Sequence, residues 1–309
     1  TQRDSTAPLY LGSAGTAARF LPAVIAARGA GVVTLTASSQ LSRRPIAELT
    51  RALRALGARI ETPSDEPPKG CETSEEISFP MRVWGGSLRG GRVEVSGQRS
   101  SQFISALLLA APLAPEPVSI YITDDIVQAD YVRITLEMMA RWDVAVDHDE
   151  ALTEFHVKPQ RYQARDALIE ADASTATCLF ALAATTRSEL TITNLNLNTR
   201  QPDILFLDHL ETLGCEVTRA GQRVTLRGPE TLMGDVSFDF KPCSDSTPAL
   251  AVAAAFTSGS VEVEGVAHIR RHECDRLSVI CEHLQRAGVR VEEREDGFRI
   301  EPNRDAVSP

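Results

Sequence analysis

The sequence predicts a mixed α/β (α+β) chain built from repeated β-α-β-α-β-β units, and three observations lead there. A helix that ends in a hydrophobic-glycine-hydrophobic turn recurs four times, at a spacing of roughly 70 to 85 residues. Each copy follows an alanine-rich helix and a strand of alternating polarity. Each is trailed by short strands, a pattern that requires helices packed against sheets in a pseudo-symmetric arrangement.

The recurring helices are RPIAELTRALRALGARI (44–60), DYVRITLEMMARWDVAV (130–146), QPDILFLDHLETLGCEV (201–217) and CDRLSVICEHLQRAGVRV (274–291). Their leucine-type positions fall at helical spacing. In three of them Gly57, Gly214 or Gly288 stands where a helix terminus needs left-handed backbone. The alanine-rich helices and their strands are TAARFLPAVIAA with VVTLTA, SSQFISALLLAA with VSIYI, ASTATCLFALAA with LTITNL, and STPALAVAAAF with SVEVEGV. Period-two alternation marks each strand as half-buried. MRVWGG, GGRVEVSG, EFHVKP, RVTLRG and GFRIEP supply the short strands. The stretch 62–78, rich in Pro, Ser and Glu, has no periodicity and reads as an exposed loop. The segment DALIEAD (166–172) separates the second copy from the third, so two domains are expected, 1–169 and 170–309.

Composition narrows the function classes. A chain of 309 residues, 43% of them hydrophobic, can bury a substantial core. The apolar runs 104–114 and 248–256 are too short for a bilayer, which needs roughly 20 residues, so no membrane span is expected. A net charge of −10 makes nucleic acid a poor partner and means that an anionic ligand must be held by a few placed arginines. Six cysteines without a C-x-x-C pair read as reduced thiols of a cytoplasmic protein, with neither disulfides nor structural zinc. The first residue is Thr1 and no signal peptide follows, which suggests that the native N-terminus lies further upstream.

Several turns carry residues suited to anions or protons. Ser13, Ala14, Gly15 and Thr16 lie between a strand and a helix, where free backbone N–H groups meet the positive end of the helix dipole; simple capping would use the same residues. Arg44 precedes Pro45 at a helix start, a poor place for a cation unless an anion sits beside it. Ser100, Ser101 and Gln102 offer two hydroxyls and an amide at another helix start, as a phosphate cradle or as a cap. Asp245 sits in a small-residue turn before a nearly all-apolar helix, where a carboxylate can serve as an N-cap. Glu273 and Arg276 stand three apart at a further helix start, on a shared face or simply solvated.

In order along the chain, LGSAGTAAR (11–19), RRPIAEL (43–49), GQRSSQFISALLLAAPLA (97–114), EADAST (170–175), SDSTPALAVAAAF (244–256) and RHECDRL (271–277) resemble the 5-enolpyruvylshikimate-3-phosphate synthase family of enolpyruvyl transferases. The resemblance implies two inside-out α/β barrel domains, with helices inside and sheets outside, closing over two anionic substrates. It implies transfer of a carboxyvinyl group from phosphoenolpyruvate to the 5-hydroxyl of shikimate-3-phosphate, without cofactor or metal. Ser13, Gly15, Thr16, Arg44 and Arg276 would then hold phosphoenolpyruvate, with Arg19 as a lesser candidate. Ser100, Ser101, Gln102, Gln128, Tyr131 and His268 would hold the shikimate phosphate. Asp245 would be the base, and Glu273 and His272 would handle protons. Cys274 would be a bystander.

Ser13, Gln128, His268 and His272 depart from the family's usual asparagine, serine, asparagine and lysine. A histidine at 272 would make the chemistry pH-sensitive. Six repeat units are usual in the family and four are legible here, so terminal units with substrate-binding lysines and arginines are expected beyond both ends. Three readings follow: a shikimate-pathway transferase, a diverted homologue eliminating phosphate or water without phosphoenolpyruvate, and a non-catalytic homologue. The expected state is a monomer acting on small anionic substrates.

Overall fold

A computed structural model describes residues 7–62, 78–271 and 274–302. The first repeat runs β1 (Leu9–Tyr10), α1 (Gly15–Ala27), β2 (Val32–Thr36), a short α2 (Ser39–Ser42), α3 (Ala47–Ala55), β3 (Ile60–Glu61) and β4 (Met81–Trp84). The second runs β5 (Gly91–Val95), α4 (Ser101–Ala110), β6 (Val118–Ile122), α5 (Ala129–Arg141), β7 (Asp147–His148) and β8 (Glu154–Val157). The third contains α6 (Ala173–Thr185), β9 (Glu189–Thr193), α7 (Phe206–Thr212), β10 (Glu216–Ala220) and β11 (Arg223–Arg227). The fourth contains β12 (Val236–Asp239), α8 (Thr247–Ala254), β13 (Val261–Glu264), α9 (Arg276–Arg286), β14 (Arg290–Glu293) and β15 (Phe298–Glu301).

Each repeat makes its own sheet, and three of the four share one order: β1-β2-β4-β3, β5-β6-β8-β7 and β12-β13-β15-β14. The leading strand pairs parallel with the next across a helical crossover, and the last two form an antiparallel hairpin. The third sheet has only β10-β11-β9. The segment that would lead it, around Leu168 and Ile169, leaves both side chains exposed and meets β9 only at its end, where Ala171 N donates to Asn194 O and Asn194 Nδ2 to Ile169 O.

Contacts divide the chain between Asp166 and Ala167 into two units. In the first, α1 packs on α4 and α4 on α5, over a core that includes Leu35, Leu53, Phe103 and Phe155. In the second, α6 packs on α8, over a core that includes Phe180, Phe206, Phe240 and Phe298. The first helix of a repeat is apolar on most sides because it is surrounded: in α8 six of eight residues are buried, among them Ala249, Ala251, Ala253 and Ala254, whose small side chains permit close backbone approach. The second helices are amphipathic and pack one face.

The terminal glycines adopt the left-handed backbone their positions require, with φ of +90° at Gly57, +92° at Gly214 and +83° at Gly288. In the copy without glycine, Asp143 takes φ +60°, a conformation aspartate tolerates better than most residues. Residues 63–77 of the expected loop lie outside the described residues. Among the described residues no helix is long and apolar enough to cross a membrane.

Candidate active site

In the first unit, the start of α1 is uncapped: Ala14 offers no side-chain hydrogen bond, and the first turn has no acidic residue. Ser13 exchanges a 2.9 Å hydroxyl bond with Ser38, which caps α2, so the SAGT turn is tied to the next loop. Gly15 lies under two guanidinium groups. A Cβ there would stand 2.7 Å from Arg44 Nη1 and 3.4 Å from Arg19 Nη1. Arg19 is buried at 3% exposure and donates to the carbonyls of Gly15 and Pro45. The structure thus moves Arg19 from a helix surface to the centre of this cluster. Arg44 sits in the turn ahead of α3, which begins at Ala47, and its guanidinium reaches Gly15 at the α1 terminus.

The start of α4 joins this cluster. Ser100 caps the helix by accepting from Gln102 N at 3.2 Å, Ser101 is buried, and Gln102 Nε2 donates to Thr16 Oγ1 at 3.3 Å. The loop before α4 is held from two directions. Asp124 accepts from Ser96 Oγ, Gly97 N and Gln98 N, and Glu48 in α3 accepts from Ser96 N at 2.6 Å. Hydrogen bonding, led by the Ser96 hydroxyl and joined by the two backbone amides, lowers the Asp124 carboxyl below its ordinary value against the opposing effect of burial. Gln128 takes a left-handed conformation at the start of α5, with Tyr131 N bonded to its carbonyl. Thr135 of α5 bridges Tyr131 O and Ser105 of α4, which fixes α5 against α4. Two guanidinium groups, an uncapped helix terminus and a row of hydroxyl and amide groups make a site suited to a multiply charged anion.

The second unit collects different chemistry. Asp245, on the 3₁₀ turn Ser244–Ser246, accepts from Arg276 Nη1 at 2.8 Å, and both side chains are roughly three-quarters buried. It is therefore not a helix cap, one of the two possibilities open from sequence. Arg276 opens α9, capped by Asp275, so the helix begins after Glu273 rather than at it. His268 Nε2 lies 2.8 Å from Ser244 Oγ. Burial lowers the His268 imidazole below its ordinary value against the opposing charges of Asp245 and Asp296. His272 and Glu273 lie outside the described residues.

Sequence reasoning passed over Asp203, which the fold brings to this cluster. It is 2% exposed and accepts from Ser174 Oγ in the first turn of α6, a helix capped by Asp172. Its sequence context, QPDIL, is that of any solvated helix start. Only the adjoining EADAST motif hinted that this turn mattered.

The family model described as EPSP synthase (3-phosphoshikimate 1-carboxyvinyltransferase) matches residues 1–309. The chain is 41% identical over 294 residues to 3-phosphoshikimate 1-carboxyvinyltransferase 2 of Halalkalibacterium halodurans, covering 95% of this chain and 64% of that protein. It is 36% identical to the 3-phosphoshikimate 1-carboxyvinyltransferase of a Nostoc species, covering 96% and 67%. The EPSP synthase structure from Acinetobacter baumannii superposes with a TM-score of 0.73 at 23% identity, over 96% of this chain and 65% of that one, a likeness of fold. The enolpyruvyl transferase NikO from Streptomyces tendae gives a TM-score of 0.63 at 15% identity, over 91% and 62%.

Proposed function

The chain belongs to the EPSP synthase family, and from that premise we propose that its activity is transfer of the enolpyruvyl group of phosphoenolpyruvate to the 5-hydroxyl of shikimate-3-phosphate, in the cytoplasm. The observation that carries the reading is the pair of guanidinium groups, Arg19 and Arg44, over Gly15 at the uncapped start of α1. In a chain of net charge −10, such a local concentration of positive charge is suited to a small, highly charged anion.

In this reading Ser13, Gly15, Thr16 and Arg44, with Arg19, hold phosphoenolpyruvate. Ser100, Ser101, Gln102, Gln128, Tyr131 and His268 hold the shikimate phosphate. Asp245 takes the proton of the 5-hydroxyl as its oxygen bonds to C2 of phosphoenolpyruvate, while Glu273, assisted by His272, delivers a proton to the methylene carbon. The resulting tetrahedral intermediate loses inorganic phosphate as C2–O(P) breaks and the methyl carbon returns its proton. The Asp245–Arg276 pair would open when an anionic substrate takes over Arg276, which frees the Asp245 carboxylate at the moment it is needed. Divided at 169/170, the chain would supply two enolpyruvyl-transferase-like domains.

The chain spans 64% of the length of its Halalkalibacterium halodurans relative. The test is incubation with shikimate-3-phosphate, with and without phosphoenolpyruvate, following released phosphate and product mass. Phosphate release that needs phosphoenolpyruvate, with an enolpyruvyl mass gain on the sugar acid, supports transfer. Release without phosphoenolpyruvate sinks it in favour of elimination. Absence of any release, together with absence of binding to either substrate, also sinks it.

A further inference from the structure

Asp203 lies in the 3₁₀ turn Pro202–Leu205 and is almost wholly enclosed. One carboxylate oxygen accepts from Ser174 Oγ, and the other, Oδ1, is buried without a hydrogen-bond partner. A hydrogen bond from Ser174 could equally be accepted by the carbonyl of an asparagine, which costs far less to bury. The charge itself therefore needs an explanation.

The groups around it give one. From α6, Asp172 caps the helix and Ser174 donates to Asp203. The turn Pro202–Leu205 packs against the turn Ser244–Ser246 before α8, which sets Asp245 and the buried thiol of Cys243 in electrostatic reach of Asp203. On the following helix α7, Asp208 is paired with Arg219, and His209 is packed on Phe238 and Phe240. Asp245 is thus flanked by a cation, Arg276 at 2.8 Å, and by a buried anion.

We propose that Asp203 is a positioning residue of the second-unit site: its enclosed negative charge, anchored by Ser174, drives the Asp245 carboxylate onto Arg276, and protonation of Asp203 relaxes that pair. Burial pushes the Asp203 carboxyl up to about 6, with the charges of Asp245 and Asp172 adding to the rise and the hydroxyls of Ser174 and Ser246 opposing it. The pair is accordingly held firmly at pH 7.5 and loosened near pH 5, so the site carries a charge gate separate from its histidines. The inference rests on the reading of Asp245 and Arg276 as site residues, but its test requires no turnover.

The experiment follows the guanidinium resonances of Arg276 by ¹⁵N NMR on the full chain between pH 5 and 8, assigned with Arg276→Lys. The wild-type signal should move with a midpoint near 6, Asp203→Asn should flatten the curve, and Ser174→Ala should shift the midpoint upward by removing a hydroxyl that favours the charged form. A midpoint unchanged in Asp203→Asn assigns the titration to His268 and overturns the proposal, as does a flat wild-type curve. Should Asp203→Asn fail to fold, the Ser174→Ala midpoint decides: an upward move supports the gate and an unmoved one overturns it. Absence of phosphoenolpyruvate-dependent phosphate release alongside the expected NMR shifts would count against the transferase reading alone.

Discussion

The starts of α1 and α6 occupy equivalent places in their repeats, yet one lies under two guanidinium groups and the other is closed by a carboxylate. At α1, the uncapped turn Ala14–Gly15 meets Arg19 and Arg44. At α6, Asp172 satisfies the amides of Ser174 and Thr175, and Asp203 lies behind them. The same backbone element thus lacks a side-chain cap in one unit and is capped by protein in the other. The first unit gathers positive charge at a helix start, whereas the second sets the Asp245 carboxylate against Arg276, with His268 held to the neighbouring Ser244.

The comparison breaks most visibly at Asp245. Asp245→Asn should reduce turnover by a factor on the order of 10² to 10⁴, the usual worth of a general base, while phosphoenolpyruvate affinity measured by calorimetry falls far less. An equal loss in both would mean that Asp245 is a binding group like those of the first unit.

Removing the charge of Asp203 tests the enclosed anion through stability. Its folded pKa, about 6, exceeds the ordinary aspartate value of 3.8, so the group's contribution is fully present below pH 4 and is lost as pH rises through 6. Asp203→Asn should therefore be more stable than wild type by about 3 kcal/mol at pH 8 and nearly equal to it at pH 4, in urea titrations at both pH values.

Arg44→Met probes the opposite unit. Loss of one charged hydrogen-bonding group should weaken phosphoenolpyruvate or inorganic phosphate binding by about 1.5–3 kcal/mol, or roughly ten- to a hundred-fold, with little change in melting temperature. A strong stability loss without an affinity loss would make Arg44 structural.

The smallest expected effects come from two glycines. In Gly15→Ala the new methyl meets the mobile tip of Arg44, so affinity should fall while stability changes by less than about 1 kcal/mol. In Gly97→Ala it meets backbone, Asp125 O and Ile126 Cα at 2.8 Å, and stability should fall by about 1–3 kcal/mol. Paired thermal melts and phosphate titrations separate a binding glycine from a packing one.

Much of this was legible in advance. Alternation and helical spacing located the eight long helices found among the described residues, and Gly57, Gly214 and Gly288 marked helix ends because only certain residues accept a positive φ. The short strands β1, β3 and β7, two residues each, carry too little pattern to read. The anion-binding turns were visible because Ser13–Thr16, Arg44 and Ser100–Gln102 sit at helix starts, where the local dipole gives residue type a meaning. Arg19 was underrated, because a helical arginine looks the same in sequence whether its head reaches water or folds back to the carbonyls of Gly15 and Pro45.

The sequence by itself determined the elements, the repeat and the family, since these depend on local propensity and on ordered motifs that each segment carries alone. Tertiary structure decided which charges meet. Arg44 reaches Gly15, Asp245 reaches Arg276 rather than capping α8, and Asp203 is enclosed beside Ser174, 29 residues away in sequence. Electrostatic effects of this kind depend on distance and burial, which only the packed chain supplies.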